Sequence, residues 1–334
     1  MKYTRLAGFV VLVSVLGMLP VGCEHSGVNQ AIQKNLPVVD SQPKILAVYE
    51  PWFGDPKHIN VGYSTQDPAT LKSQIEKARD MGIYGFVVDW YGEREPFADR
   101  SYALMQEVAG ENKFHVAIMY DETEQDNGEA TEDAIAAFRK IQNVYLAPNA
   151  PGRNSYIYYN GRPLIVIFPK HGNTDWDAVR QEVNTWPNPP LLIYKDEPPA
   201  KYANDFDGYY PWVHPGPKGW TADGEDWGKQ YLKNFYEKYP KQHPGKLIMG
   251  GAWPGFNDTR ASWSLDRHMD QRCGKTFDDT LHIFREEEQR NSMPFLLIAT
   301  WNDYEEGTAI ERGLAKCDVN QPANSTSGNF QGNQ

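Results

Sequence analysis

The side chains best suited to chemistry cluster in Trp301-Asn302-Asp303-Tyr304-Glu305-Glu306-Gly307, directly after the apolar run Phe295–Ala299. Asp303 and Glu306 could divide the work at an acetal carbon, one giving a proton while the other acts as base or nucleophile. On charge alone, an acidic turn reads most plainly as solvated surface. Trp301 and Tyr304 shift that balance, because large aromatics are costly on an open turn without a partner or ligand. The same grouping recurs after other apolar runs: Glu50 and Trp52, then Asp89, Trp90 and Tyr91, then Tyr120 and Asp121, then Tyr210 and Trp212, then Trp253. Singly, such an Asp is as readily a helix cap and such a Trp a core residue. Together, aromatic faces that stack on pyranose C–H surfaces and carboxylates that accept hydroxyl hydrogen bonds make a sugar site.

What must position them is a repeating unit: a short apolar run, an acid-plus-aromatic loop, and an amphipathic helix. The runs begin at Ile45, Tyr84, Phe114, Pro163, Leu191, Phe206, Leu247 and Phe295. About eight such units predict a single (β/α)8 TIM-type barrel over residues 44–313, which would gather all the strand ends on one face. A doubly wound open sheet is the alternative, but no GxGxxG follows the first run. Asp67 with Pro68 predicts a capped helix striped by Leu71, Ile75 and Ala78. Further helices are expected around Tyr102–Val108, after caps at Thr131 and Asp175, through Trp227, Tyr231 and Phe235, and through Phe277, Leu281 and Phe284. Glu197-Pro198-Pro199 leaves no helix after the fifth run, and Thr308–Lys316 is the only candidate after the eighth.

The 334 residues carry a net charge of −11, which opposes nucleic-acid partners. There is no G-x-S-x-G, no glycine-rich phosphate loop and no CxxC or HExxH metal motif, so neither metal nor other cofactor is expected. Lys2 and Arg5 before the apolar Phe9–Leu19 read as an export signal over residues 1–22. Pro20-Val21-Gly22-Cys23 suggests the lipoprotein type, with Cys23 lipidated; an ordinary cleaved signal is the alternative. The expectation is an exported protein in the bacterial periplasm or on the cell surface, touching the membrane only through that anchor. Residues 23–43 read as a linker and 314–334 as a disordered tail. Cys273 and Cys317 could pair or remain free thiols.

Trp301–Thr308 resembles the Asn-Glu-Trp-x-Glu-Gly-Thr motif of the endo-α-mannosidases, glycoside hydrolase family 99. Its Trp-Asn-Asp-Tyr opening is closer to the α-1,3-glucanases of family 71. Glu50-Pro51-Trp52-Phe53-Gly54 resembles the Tyr-x-Pro-Trp-Tyr-Gly segment of the mannosidases, and Pro254–Arg260, with Asn257, Asp258 and Arg260, resembles their loop after the seventh strand. The resemblance implies a metal-free, retaining α-glycanase on a (β/α)8 barrel, acting on an oligosaccharide or polysaccharide. Carried over, Asp303 acts on the sugar itself and Glu306 is the general acid/base; Asn302 and the aromatics bind substrate. Asp303 is shorter by one C–C bond, ~1.5 Å, than the Glu of the mannosidases, which points towards the glucanase-like relatives. Two alternatives remain: a non-catalytic carbohydrate-binding lipoprotein on the same barrel, and a relative acting in surface-polysaccharide assembly.

Overall fold

Each apolar run becomes a buried parallel strand, and each amphipathic segment a helix laid on its outside. The computed structural model describes residues 42–123, 129–170, 173–214 and 226–314. The strands are β1 (Lys44–Tyr49), β2 (Gly85–Trp90), β3 (His115–Asp121), β4 (Arg162–Phe168), β5 (Leu191–Lys195) and β6 (Gly208–Tyr210). They are followed by β7 (Leu247–Ile248, resumed as Gly250–Ala252) and β8 (Phe295–Ile298). Each pairs in parallel with its neighbours. The ring closes at β7: its first half pairs with β6 (Gly208↔Leu247) and its second with β8 (Leu296↔Gly250), while β8 also pairs with β1 (Lys44↔Phe295). The expected (β/α)8 barrel is the fold.

The helices are α1 (Pro68–Asp80), α2 (Pro96–Glu111), α3 (Ala130–Lys140), α4 (Trp176–Asn184), α5 (Lys229–Gln242) and α6 (Lys275–Asn291). Asp67 caps α1 as expected, its two carboxylate oxygens accepting from the amides of Ala69 and Thr70, both at 3.2 Å. Thr131 does not cap α3. It lies inside the helix, and its hydroxyl instead accepts the Asp175 amide at 2.8 Å. Asp175 does stand before α4, without a side-chain capping bond. After β5 there is only the single 3-10 turn Ala200–Tyr202.

No helix forms at Thr308 onwards among the described residues. The amides of Thr308 and Ala309 donate to the Asp303 carbonyl, and those of Ile310 and Glu311 to the Trp301 carbonyl. The chain from Thr308 to Glu311 thus folds back onto the loop that carries Asp303 instead of running on as a helix. Cys273 is disulfide-bonded, so it is not a free thiol; Cys23 and Cys317 both lie outside the described residues. So do the signal segment, almost all of the linker and all of the tail but Leu314.

Strand side chains alternate, and the two faces make two cores. Leu46, Val48, Val87, Ala117, Met119, Val166, Ile193 and Leu297 fill the barrel interior. Ala47, Phe86, Val88, Ile118, Ile165 and Leu192 face outward beneath the helices with Leu71, Ile75, Phe138 and Val179. Where β6 meets β7 there is no room for a side chain: a Cβ on Gly208 would stand 2.1 Å from the Leu247 carbonyl oxygen. Gly208→Ala is therefore expected to cost about 1–3 kcal/mol, the usual penalty of overpacking. Chemical denaturation of the variant checks this, and an unchanged midpoint would mean that the two strands part freely.

Candidate active site

Continuing the inward alternation of each strand past its last aliphatic residue reaches the residues of the site. Beyond Leu46 and Val48 comes Glu50; beyond Val87 comes Asp89; beyond Ala117 and Met119 comes Asp121. On β4 the inward row ends in Phe168, on β5 in Lys195, and after β6 in Trp212. All of these line one cleft of about 870 Å³, with Trp52, Tyr91, Trp263, Asp303 and Glu306. The barrel's aliphatic plug thus gives way to ionisable groups at the carboxyl ends of the strands, where barrel sites are built.

The Asp303–Glu306 loop is locked by short-range hydrogen bonds. The Asp303 carboxylate accepts the amides of Glu305 (2.9 Å) and Glu306 (2.8 Å), and the Asp303 amide donates to the Thr300 hydroxyl. Asn302 bolts this loop to the end of β1. Its carbonyl oxygen accepts the Glu50 amide at 2.7 Å, and its amide donates to the Glu50 carbonyl at 2.9 Å. Glu305 points away from the cleft centre and binds His58 Nδ1 (2.8 Å) and the Ile59 amide (3.1 Å). That contact holds the imidazole flat on Trp52, with ring centroids 4.7 Å apart and planes 6° from parallel.

Five carboxyls in one desolvated space cannot all ionise at once. Burial, then the neighbouring charges of Asp89, Asp303 and Glu306, push Glu50 well above the ordinary carboxylate range. Asp89 is raised to about 6 by burial, although hydrogen bonds from Tyr91 and Glu50 hold it down. Glu50 Oε2 and Asp89 Oδ1 are otherwise buried without partners, an arrangement that a proton on Glu50 satisfies. Asp121 rises through burial and the charge of Asp89 against an ion pair with Lys170 at 2.9 Å. Asp303 rises through burial and the charge of Glu306. Glu306 rises through burial, opposed by the Trp263 indole N–H, which donates to its Oε1 at 3.0 Å.

Several residues expected to bind substrate stand outside the cleft lining. Trp90 and Tyr120 fall on the outward parity of β2 and β3 and are sealed in the outer core, Trp90 donating to Asp99 and Tyr120 packed on Phe138 and Trp176. Trp253 is buried and donates to the Trp227 carbonyl, and Trp301 is buried beside Phe86. Tyr210 closes the barrel interior below the cleft, bonded to the Ile167 carbonyl. Tyr304 packs on Phe53 and donates to Glu311. Asn302 is a wholly buried latch. Asn257, Asp258 and Arg260 do not line the cleft: Asn257 bonds the Glu306 carbonyl through its amide, Asp258 is buried within its own loop, and Arg260 is exposed.

Sequence reasoning missed Lys170, Lys195, His58 and Trp263. Lys195 and Lys170 follow strands β5 and β4 just as the acids follow theirs, so the strand-end rule would have found them had it been applied to cations. Lys195 lies over the Phe168 ring, 3.5 Å from its centroid, and burial lowers its pKa. Trp263 lies in a long loop without strand or helix periodicity, and nothing local marked it.

The profile of Glycosyl hydrolase family 71 matches residues 58–326. Among solved structures, the chain is similar to the GH99 endo-alpha-mannosidase from Bacteroides thetaiotaomicron in complex with bis-tris-propane. The TM-score is 0.61 at 19% identity, over 83% of this chain and 90% of that one. A second structure of the endo-alpha-mannosidase from the same organism gives 0.59 at 19%, over 80% and 87%. A structure described as a glycoside hydrolase-like protein gives 0.58 at 12%, over 83% and 89%. Among curated proteins, none matches.

The raised carboxyls predict how stability follows pH. A group whose folded pKa lies above its unfolded value stabilises fully below the unfolded value and loses that contribution as pH rises through the folded one. For Asp89 this window runs from its ordinary 3.8 to about 6; for Glu50 it extends well higher. Asp207, Asp258 and Asp279 are lowered and so titrate below that window. The melting temperature is therefore expected to fall as pH rises from about 4 through about 6, and to go on falling above that as Glu50 ionises. Glu50→Gln, which keeps a donor and removes a charge, should raise it at the alkaline end and flatten the slope. Thermal melts of both proteins across that range check the expectation, and parallel curves would remove Glu50 from the account.

Proposed function

The chain belongs to glycosyl hydrolase family 71 and is a glycoside hydrolase, and we propose that it cleaves an α-linked oligosaccharide or polysaccharide with retention of configuration. The observation that carries this reading is the unequal treatment of two carboxyls on one loop of the cleft. Asp303 accepts two amide hydrogens, which favour its anion; Glu306, the more exposed of the two, accepts only one indole hydrogen. Burial raises both carboxyls, Asp303 the more strongly; the assignment of the proton to Glu306 rests on the two amides that hold the Asp303 carboxylate.

Glu306 then protonates the leaving oxygen, while the Asp303 carboxylate acts on the sugar, as nucleophile or as base on a neighbouring hydroxyl. Glu306, now ionised, takes a proton from the incoming water in the second step. The Asp303 position, shorter by one methylene than the mannosidase Glu, favours an α-glucan over a mannoside. Trp52, Tyr91 and Trp212 supply stacking faces for the rings. The signal-like residues 1–22 and Cys23 support export with a lipid anchor; mass spectrometry of the native N-terminus should find a diacylglyceryl group on Cys23, and a free N-terminus elsewhere would remove the anchor.

A panel of α-glucans and α-mannans, read by mass spectrometry for chain shortening, tests the activity. Binding without cleavage would support a carbohydrate-binding role instead. Glu306→Gln should lose at least ~10²-fold on an unactivated glycan, the lower end of what a positioned acid contributes. The loss should be smaller with an activated aryl leaving group, which needs little protonation. Asp303→Asn should slow both substrates. An unimpaired Glu306→Gln enzyme would show the assignment wrong.

A further inference from the structure

The loop between the short antiparallel strands Phe256–Asn257 and His268–Met269 is built around one buried carboxylate. Asp258, with no exposed surface, accepts the Ser264 hydroxyl (3.1 Å), the amides of Leu265 (3.1 Å) and Arg267 (2.8 Å), and the Arg267 Nε (2.7 Å). Such a knot fixes the intervening chain, and at its tip stands Trp263. The hairpin is itself fastened to the catalytic loop, because the Asn257 amide donates to the Glu306 carbonyl at 2.7 Å. Glu306 is therefore gripped twice by one element, at its backbone by Asn257 and at Oε1 by the Trp263 indole. Its Oε2 makes no hydrogen bond among the described residues.

The Trp263 ring stands edge-on to Trp52 and His58, with centroids 6.1 and 6.2 Å away. Yet 40% of its surface remains exposed while it lines the cleft. An exposed tryptophan that donates to an acid and turns a free face to the cleft can position both the proton and the ring that receives it. We infer that Trp263 is a positioning residue for the general acid: its N–H fixes Glu306 so that Oε2 meets the leaving oxygen, and its ring is the wall against which the leaving sugar rests. This deepens the assignment of Glu306 as the acid and rests on it.

Trp263→Phe keeps an aromatic wall and removes only the donor. On an unactivated glycan its kcat should fall about tenfold, the worth of one hydrogen bond to a charged group, with KM little changed. On an activated aryl glycoside the fall should be smaller. Trp263→Ala should add a rise in KM. Glu306 faces Asp303 on its own loop, Glu50 and Asp89 from β1 and β2, Lys195 from β5, and Asp258 and Arg267 from the hairpin. In Trp263→Phe all of these remain, so the lost N–H alone moves the acid. That N–H favours the ionised form, and a general acid works only while protonated. The alkaline limb of kcat should therefore shift to higher pH. Carbon-13 titration of the Glu306 carboxyl, assigned by its disappearance in Glu306→Gln, reads the same shift without any substrate.

A folded Trp263→Phe protein, verified by circular dichroism, whose limb and carboxyl titration match the unmodified enzyme would overturn the inference. An unimpaired Glu306→Gln enzyme would instead overturn the assignment of the acid beneath it. The two failures are thus told apart.

Discussion

Everything in the site follows from the alternation of side chains along a strand. A residue that faces the barrel axis is followed, two positions on, by another that does. In the lower strand these residues must be aliphatic, because the barrel is a packed core. At the last rungs of the sheet the same direction opens on the cleft, where ionisable side chains replace the aliphatic ones and burial still raises their carboxyls. Val48 and Glu50, Val87 and Asp89, Met119 and Asp121, and Ile193 and Lys195 are successive members of four such rows. The step from oil to acid takes one residue pair on each strand, which is why the groups meet at one depth.

The crowding this produces is electrostatically costly, and the surrounding structure spends its rigidity on holding it together. Asn302 joins β1 to the loop after β8 with two hydrogen bonds. Lys170 answers Asp121, and Asp258 organises the hairpin that reaches Glu306. Glu305 is the instructive member of the motif. It sits between the two working carboxyls in sequence, yet its amide hydrogen is taken by Asp303 and its side chain by His58. A tight turn sends adjacent side chains to opposite sides, so one acid braces the aromatic wall while its neighbours face the cleft.

The barrel was legible because its signal is repeated: eight apolar runs, each with a breaker and most with a striped helix. The acids of the cleft were legible because they end those runs. The aromatics were less so, and for a physical reason. Trp90 and Tyr120 lie one position from Asp89 and Asp121, and a displacement of one residue turns a side chain to the other face. Adjacency in sequence had grouped what the pleat separates, and counting parity from Val87 and Met119 would have sorted them. Asn257, Asp258 and Arg260 resemble a loop whose contacts no sequence pattern fixes. Trp263, which with Leu265 and Arg267 of that hairpin does line the cleft, depends on a web of hydrogen bonds converging on Asp258, which has no periodicity to read. No helix follows β8 among the described residues, where the chain from Thr308 to Glu311 folds back onto the carbonyls of Trp301 and Asp303.

The carboxyls of the cleft also make it a store of protons whose capacity changes with occupancy. Burial raises Glu50 well above its ordinary range and Asp89 to about 6, so the carboxyls of the cleft differ in their hold on a proton. A glycan that fills it expels water from around the remaining anions and strengthens their hold on hydrogen ions. Association would then draw protons from the medium. The heat it releases depends on the ionisation enthalpy of whichever buffer surrenders them, and the affinity for an uncharged sugar varies with acidity even though the sugar itself never titrates.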